Sequence, residues 1–119
     1  MMPGVSKYDN RNVMWKIVFF NERVKRQIDD WPAGIYADFL RSAKLISDYG
    51  VELKMPFSKP MGSGLSELRC KGKGGIGRAF YCTFVNHEIV TLHAFIKKTQ
   101  KTPKRELEFA KQRLEEIRK

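Results

Sequence analysis

Residues Gly77–Lys119 read GRAFYCTFVNHEIVTLHAFIKKTQKTPKRELEFAKQRLEEIRK, and this stretch decides the fold. Arg78–Val85 and Glu88–Ile96 are rich in β-branched and aromatic residues, and Asn86-His87 between them has the chemistry of a short hairpin connection. The second run passes through Lys97, Lys98 and Lys101 into a segment where Leu107, Ala110, Leu114 and Ile117 recur at helical spacing. Thr102 and Pro103 suit the N-cap and first-turn positions of that helix. Two strands therefore lead through a knot of lysines into a basic helix, which puts positive charge where a sheet can present it to phosphate.

Upstream, Gly72, Gly74, Gly75 and Gly77 mark a turn after a strand over Leu65–Lys71, so three consecutive strands make an antiparallel meander. The Pro-, Gly- and Ser-rich stretch Met55–Gly64 reads as a loop. Met14–Phe20 has apolar residues on both faces, which predicts a buried strand in the middle of a sheet. Asn21 ends it and can cap a helix over Glu22–Trp31, where Val24, Ile28 and Trp31 recur before Pro32 and Gly34 break the run. A second helix over Ile35–Tyr49 aligns Ile35, Phe39, Leu40, Ala43 and Ile46 in one stripe, and Gly50 supplies the stop. The expected order is β-α-α-β-β-β-α: an α+β fold with an antiparallel-rich four-stranded sheet, an N-terminal helical hairpin and a C-terminal helix, in a single domain over residues 1–119.

The net charge of +10 over 119 residues is an electrostatic preference for polyanions, with nucleic acid the leading partner. A membrane-surface binder would need an amphipathic helix with an exposed apolar face or a lipid signal, and neither is found at the termini. MMPGVSKYDNRN lacks the apolar core of a signal peptide, and no apolar run approaches the roughly 18 residues that span a bilayer. A cytoplasmic protein with no membrane association is expected. Cys70 and Cys82 both fall in strand-like segments and read as free, buried thiols in a reducing compartment. Neither a metal site nor a cofactor is expected, because the two His and two Cys include no close pair at ligand spacing.

Three groups of residues, Glu67-Leu68-Arg69, Gly77-Arg78-Ala79-Phe80-Tyr81 and the run LHAFIKKTQKTP over Leu92–Pro103, followed by a helix beginning KRELEFA, resemble the RelE/ParE toxin superfamily. The resemblance is closest to its phage-derived HigB-like branch and covers the chain from Trp15 to the end. It implies the toxin of a type II toxin–antitoxin module. It further implies an mRNA interferase, a ribosome-dependent endoribonuclease that uses the ribose 2′-hydroxyl to attack the adjacent phosphate without a metal. The implied partners are the ribosome with its mRNA and a cognate antitoxin carrying a helix-turn-helix domain.

That chemistry must orient RNA, accept a proton, neutralise developing charge and protonate the leaving oxygen. Arg69 and Arg78 match the basic positions of the family's active face, and a guanidinium offers paired donors that fit a phosphate. Either arginine can instead be a solvated strand-end charge or pair with Glu67 or Glu88. Of Lys97 and Lys98, strand alternation favours Lys97, which shares a face with His93 and Phe95 opposite Val90, Leu92, Ala94 and Ile96; a bulge at the strand end would reverse the choice. The base is open between Glu67, His93 and a lysine among other cations. Lys71, Lys73, Lys101, Lys104 and Arg105 are expected RNA contacts. Tyr81 and Phe109 are candidates for stacking on a base or for the core.

Some relatives place a tyrosine near the start of the final helix, whereas this chain reads Lys104-Arg105-Glu106-Leu107-Glu108-Phe109 there. The charges of that helix serve ribosomal RNA, an acidic antitoxin segment or solubility. Two other activities compete: a ParE-like inhibitor of DNA gyrase, and a nucleic-acid-binding module without catalysis. The convergent basic residues favour the nuclease, and Arg78→Ala is expected to abolish cleavage with the fold intact.

Overall fold

The computed structural model describes residues 15–49, 58–84, 87–97 and 103–118. Strands β1 (Lys16–Phe19), β2 (Ser58–Gly62), β3 (Leu65–Gly72), β4 (Gly75–Phe84) and β5 (Glu88–Lys97) form one five-stranded sheet in the order β1-β5-β4-β3-β2. β1 runs parallel to β5, and the remaining neighbours are antiparallel. Helices α1 (Glu22–Asp29) and α2 (Ala33–Tyr49) cover one face of the sheet, and α3 (Lys104–Arg118) covers part of the other. The α+β class, the helical hairpin and the closing helix agree with the RelE-like fold expected from the sequence.

Each helix starts where its capping chemistry dictates. Asn21 is extended, and its Oδ1 accepts a hydrogen bond from the Val24 amide at 3.0 Å, satisfying a first-turn donor of α1. The Pro32 carbonyl accepts from the Tyr36 amide at 2.9 Å, so Gly34 lies inside the first turn of α2 rather than ending a run. The Pro103 carbonyl accepts from the amides of Glu106 and Leu107 at the start of α3.

Two apolar clusters sandwich the sheet. Trp31, Ile35 and Phe39 of the helical hairpin pack on Leu68, Ala79 and Tyr81, whereas Ala110 and Leu114 of α3 pack on Leu65, Phe80, Val90 and Leu92. Leu40, expected in the α2 stripe, is instead 51% exposed, and Ser42 is buried in its place along the helix.

Two strand expectations are corrected. β1 is an edge strand, not a central one; it carries apolar residues on both faces because helices cover both, with Ile17 and Phe19 against the hairpin cluster and Val18 and Phe20 against the α3 cluster. The expected loop over Met55–Gly64 contains the fifth strand, β2, whose Pro60 is tolerated because β2 lies at the other edge. The turn between β2 and β3 holds Gly62, Ser63 and Gly64 at positive φ. The segment around Met55, Asn86 and the Thr102 cap fall outside the described residues.

A β-bulge sets the faces of β5. Phe80 pairs with His93 but Tyr81 pairs with Thr91, leaving Leu92 as the extra residue. Val90 and Leu92 therefore share the α3 face with His93, Phe95 and Lys97, whereas Ala94 and Ile96 face the hairpin. The expected grouping of Val90 and Leu92 with Ala94 and Ile96 is corrected by that one inserted residue.

Cys70 and Cys82 are free and buried. Burial pushes the Cys70 thiol up to about 12, with the nearby Asp38 carboxylate adding to the shift, and burial also raises Cys82 against the opposing pull of Arg118. Because the thiolate is the reactive form, the native protein at pH 8 should leave both thiols unmodified by an aromatic disulfide reagent, and urea should expose them together. Rapid modification of the folded chain would contradict this burial. No helix among the described residues is long and apolar enough to cross a membrane.

Candidate nucleic-acid interface

Along β3, β4 and β5 the α3 face changes from apolar to charged. Leu65, Phe80, Val90 and Leu92 lie under α3; beyond its footprint the same face carries Glu67, Arg69, Arg78 and Lys97. Cross-strand registers order these residues in rows: Lys59, Glu67, Phe80 and His93; then Arg69, Arg78 and Phe95; then Lys71, Ile76 and Lys97.

Glu67 is the centre of this charged half. Its Oε1 accepts from Arg78 Nη1 at 2.8 Å and from Arg69 Nε at 3.4 Å. Glu67 and Arg78 are each 1% exposed, while the Arg69 side chain retains 27% exposure. Arg78 is thus a buried anchor for the carboxylate, and Arg69 is held by one edge of its guanidinium at the rim. Of the two arginines expected to meet phosphate, the geometry gives the accessible position to Arg69 and a structural ion pair to Arg78.

Lys97 is 4% exposed and closes the third row. Its ammonium is held below the ordinary lysine range, by burial first and then by Arg78, with Arg69 and Lys59 adding to the shift and Glu67 opposing it. A lysine so placed gives up its proton more readily than a solvated one, which suits a proton donor. Lys59, in the stretch expected to be a loop, extends this basic field from the edge strand.

His93 lies beside the charged half and meets α3. Its Nε2 is 2.5 Å from Glu106 Oε1, its ring stacks on Phe95 with centroids 5.8 Å apart, and Phe109 lies against it at 5.6 Å. Its Nδ1 is buried with no hydrogen-bond partner among the described residues. Arg113 of α3 donates through Nη1 to the Leu92 carbonyl at 2.6 Å, bracing the bulge that sets the orientation of His93, and its guanidinium sits 4.9 Å from the centre of the Phe20 ring.

The other expected contacts divide. Lys71 and Lys73 are exposed at the end of the β3–β4 hairpin, and the Lys71 amide donates to Asp38 Oδ2 at 2.7 Å, tying that end to α2. Lys104 and Arg105 are exposed in the first turn of α3. Tyr81 lies on the opposite face, in the hairpin cluster, with its hydroxyl 2.5 Å from Ser58 Oγ, so it is a core residue and does not join the basic face. Lys98 and Lys101 fall outside the described residues. From sequence, Arg113 and Glu106 stand only among the charges of the final helix, for RNA, antitoxin or solubility, and Lys59 is not singled out; the Gly62-Ser63-Gly64 turn, followed at once by a strand, is the available sign of a hairpin containing Lys59.

No curated protein matches the chain. The family model for phage-derived Gp49-like proteins matches residues 26–115, a span that includes the end of α1, all of α2, the whole charged half of the sheet and most of α3. The chain belongs to the Gp49-like family of phage-derived proteins, a family of RelE/ParE-like toxins associated with toxin–antitoxin modules.

Proposed function

We propose that this toxin is a ribosome-dependent mRNA endoribonuclease of the HigB-like branch, neutralised by an antitoxin with a helix-turn-helix domain. The observation that carries the reading is the cluster of Arg69, Arg78, Lys97 and Lys59 around a single buried carboxylate, Glu67, on the part of the sheet face beyond α3. Among the described residues, one anion among four cations leaves a local positive surplus, and a polyphosphate backbone supplies the opposite charge.

In the proposed reaction a base removes the 2′-hydroxyl proton while the 2′-oxygen bonds to phosphorus. The bond from phosphorus to the 5′-oxygen breaks, and that oxygen takes a proton from an acid, leaving a 2′,3′-cyclic phosphate and a 5′-hydroxyl. Arg69 is assigned the charge developing on the phosphate oxygens, and Lys97 the proton for the leaving oxygen. Glu67, with Oε1 engaged by Arg78 and Arg69, serves to aim Arg69 rather than to accept the hydroxyl proton. His93 is then the base. Lys71, Lys73, Lys104 and Arg105 are assigned to the RNA backbone, in ribosome or message.

The test is expression of the chain without an antitoxin, with message ends mapped in a translation system containing or lacking assembled ribosomes. New ends on translated message alone are the expected result. Growth arrest with intact message and DNA-damage signalling would replace the reading with gyrase inhibition, and folded protein with neither effect would leave a binding module.

A further inference from the structure

We infer that Glu106 is a positioning residue that fixes the tautomer of His93, so that Nδ1 is the atom that takes the 2′-hydroxyl proton; the inference rests on the nuclease reading for its chemistry but not for its geometry. A carboxylate only accepts hydrogen bonds, so the 2.5 Å contact between Glu106 Oε1 and His93 Nε2 places the ring hydrogen on Nε2. The lone pair of the neutral ring then lies on Nδ1. That nitrogen is buried and has no partner among the described residues; a 2′-hydroxyl reaches it only once the packing around the ring shifts, and relief of an unmet buried acceptor favours that contact when substrate binds.

The surroundings hold the ring for this task. The bulge at Leu92 turns His93 onto the α3 face, and Arg113 fixes the bulge carbonyl. Phe95 and Phe109 flank the imidazole, and Phe109 keeps 42% of its surface exposed, which offers an apolar ring beside the base for a nucleobase to meet. Glu106 itself lies in the first turn of α3, where the helix dipole favours a carboxylate. One helix turn thus supplies both the group that orients His93 and the ring that lies against it. In the step itself the 2′-hydroxyl O–H bond breaks, its proton passes to Nδ1 and the 2′-oxygen bonds to phosphorus. The imidazolium that results carries hydrogen on both nitrogens and is stabilised by Glu106 through Nε2.

The full-length protein, labelled with ¹⁵N in histidine, gives a readout independent of activity. His93 should show hydrogen on Nε2 and none on Nδ1, and Glu106→Gln, whose amide can donate to Nε2, should populate the other tautomer. On translating ribosomes Glu106→Gln should lower kcat by roughly 100-fold or more with KM little changed, and Glu106→Asp should recover part of the loss. In a His93→Gln background the Glu106→Gln change should cost nothing further, because both act through one proton transfer. A wild-type Nδ1–H tautomer, or an equal Glu106→Gln penalty with and without His93, overturns the inference. If wild-type protein leaves translated message intact while the Nε2–H tautomer depends on Glu106, the nuclease reading fails and the positioning stands.

Discussion

Arg78→Ala should lower the folding stability by about 3 to 5 kcal/mol, because it leaves the Glu67 carboxylate buried without its closest guanidinium. For a chain of this size that is a fall in Tm of roughly 12 to 20 °C. The sequence-based expectation of an intact fold is reversed by depth alone: a strand-end arginine in solvent is dispensable, whereas one that is 1% exposed beside an equally buried carboxylate is not. Removing both charges should be far milder, so Glu67→Leu with Arg78→Met should recover most of the loss. Arg69→Ala should do the opposite, changing stability by no more than about 1 kcal/mol, since its pair is long and part-exposed, while lowering cleavage on ribosomes by about 100-fold. Thermal unfolding and single-turnover cleavage of these variants separate anchor from contact. Equal behaviour of Arg69→Ala and Arg78→Ala in both measurements would remove the division of labour.

The elements that could be read from sequence are those whose signals are local. Asn21 caps α1 as its side chain predicts, and the stripe Leu107, Ala110, Leu114 and Ile117 of α3 packs on the sheet because a 3.6-residue period needs only the helix itself. Composition hides β2, because Pro60 and the run Gly62-Ser63-Gly64 have a loop composition and only pairing with β3, from Leu65 to Leu68, makes the segment a strand. Alternation from His93 to Lys97 was correct since the bulge lies before His93; counted back through Leu92 it fails, because an inserted residue leaves no mark in composition.

The site shows the same division. Pairing of Glu67 with either arginine was foreseeable from strand spacing, but which arginine is buried follows the strand order, with Arg78 on the central strand β4 and Arg69 one strand nearer the edge, a property of tertiary packing. Glu106 looked like one more solubilising charge. Its partner lies 13 residues earlier across a helix–sheet interface, and nothing in the spacing of either residue announces the contact. The sequence presents Lys97 as a cation for phosphate; burial beside Arg78 adds a lowered proton affinity, which suits the donor role proposed for it.

Gly72→Ala should destabilise the protein by roughly 3 kcal/mol or more, a large effect for one methyl group. The sequence presents Gly72 as turn punctuation, but its requirement is space. A Cβ there would stand 2.7 Å from the Ile35 amide nitrogen and 2.8 Å from the Gly34 carbonyl carbon. Both are backbone atoms in the first turn of α2, so no rotamer change relieves the clash and the helix must move off the sheet. Gly77 faces a related wall, because a Cβ would come within 2.8 Å of Ile35 Cγ2 and the buried Trp31 ring. Gly62→Ala is the control: φ is +93° but nothing lies within 4 Å, so the change should cost only the left-handed strain of about 1 to 2 kcal/mol. Displacement of α2 would also strain the bond from the Lys71 amide to Asp38, at the strand end that carries Arg69 into the basic face. Urea unfolding should therefore rank Gly72→Ala below Gly62→Ala in stability, and the Gly72 variant should lose cleavage even where it remains folded. A Gly72→Ala protein as stable as wild type would mean that α2 can retreat from β3 without cost, and would break the link from the helical hairpin to the charged half of the sheet.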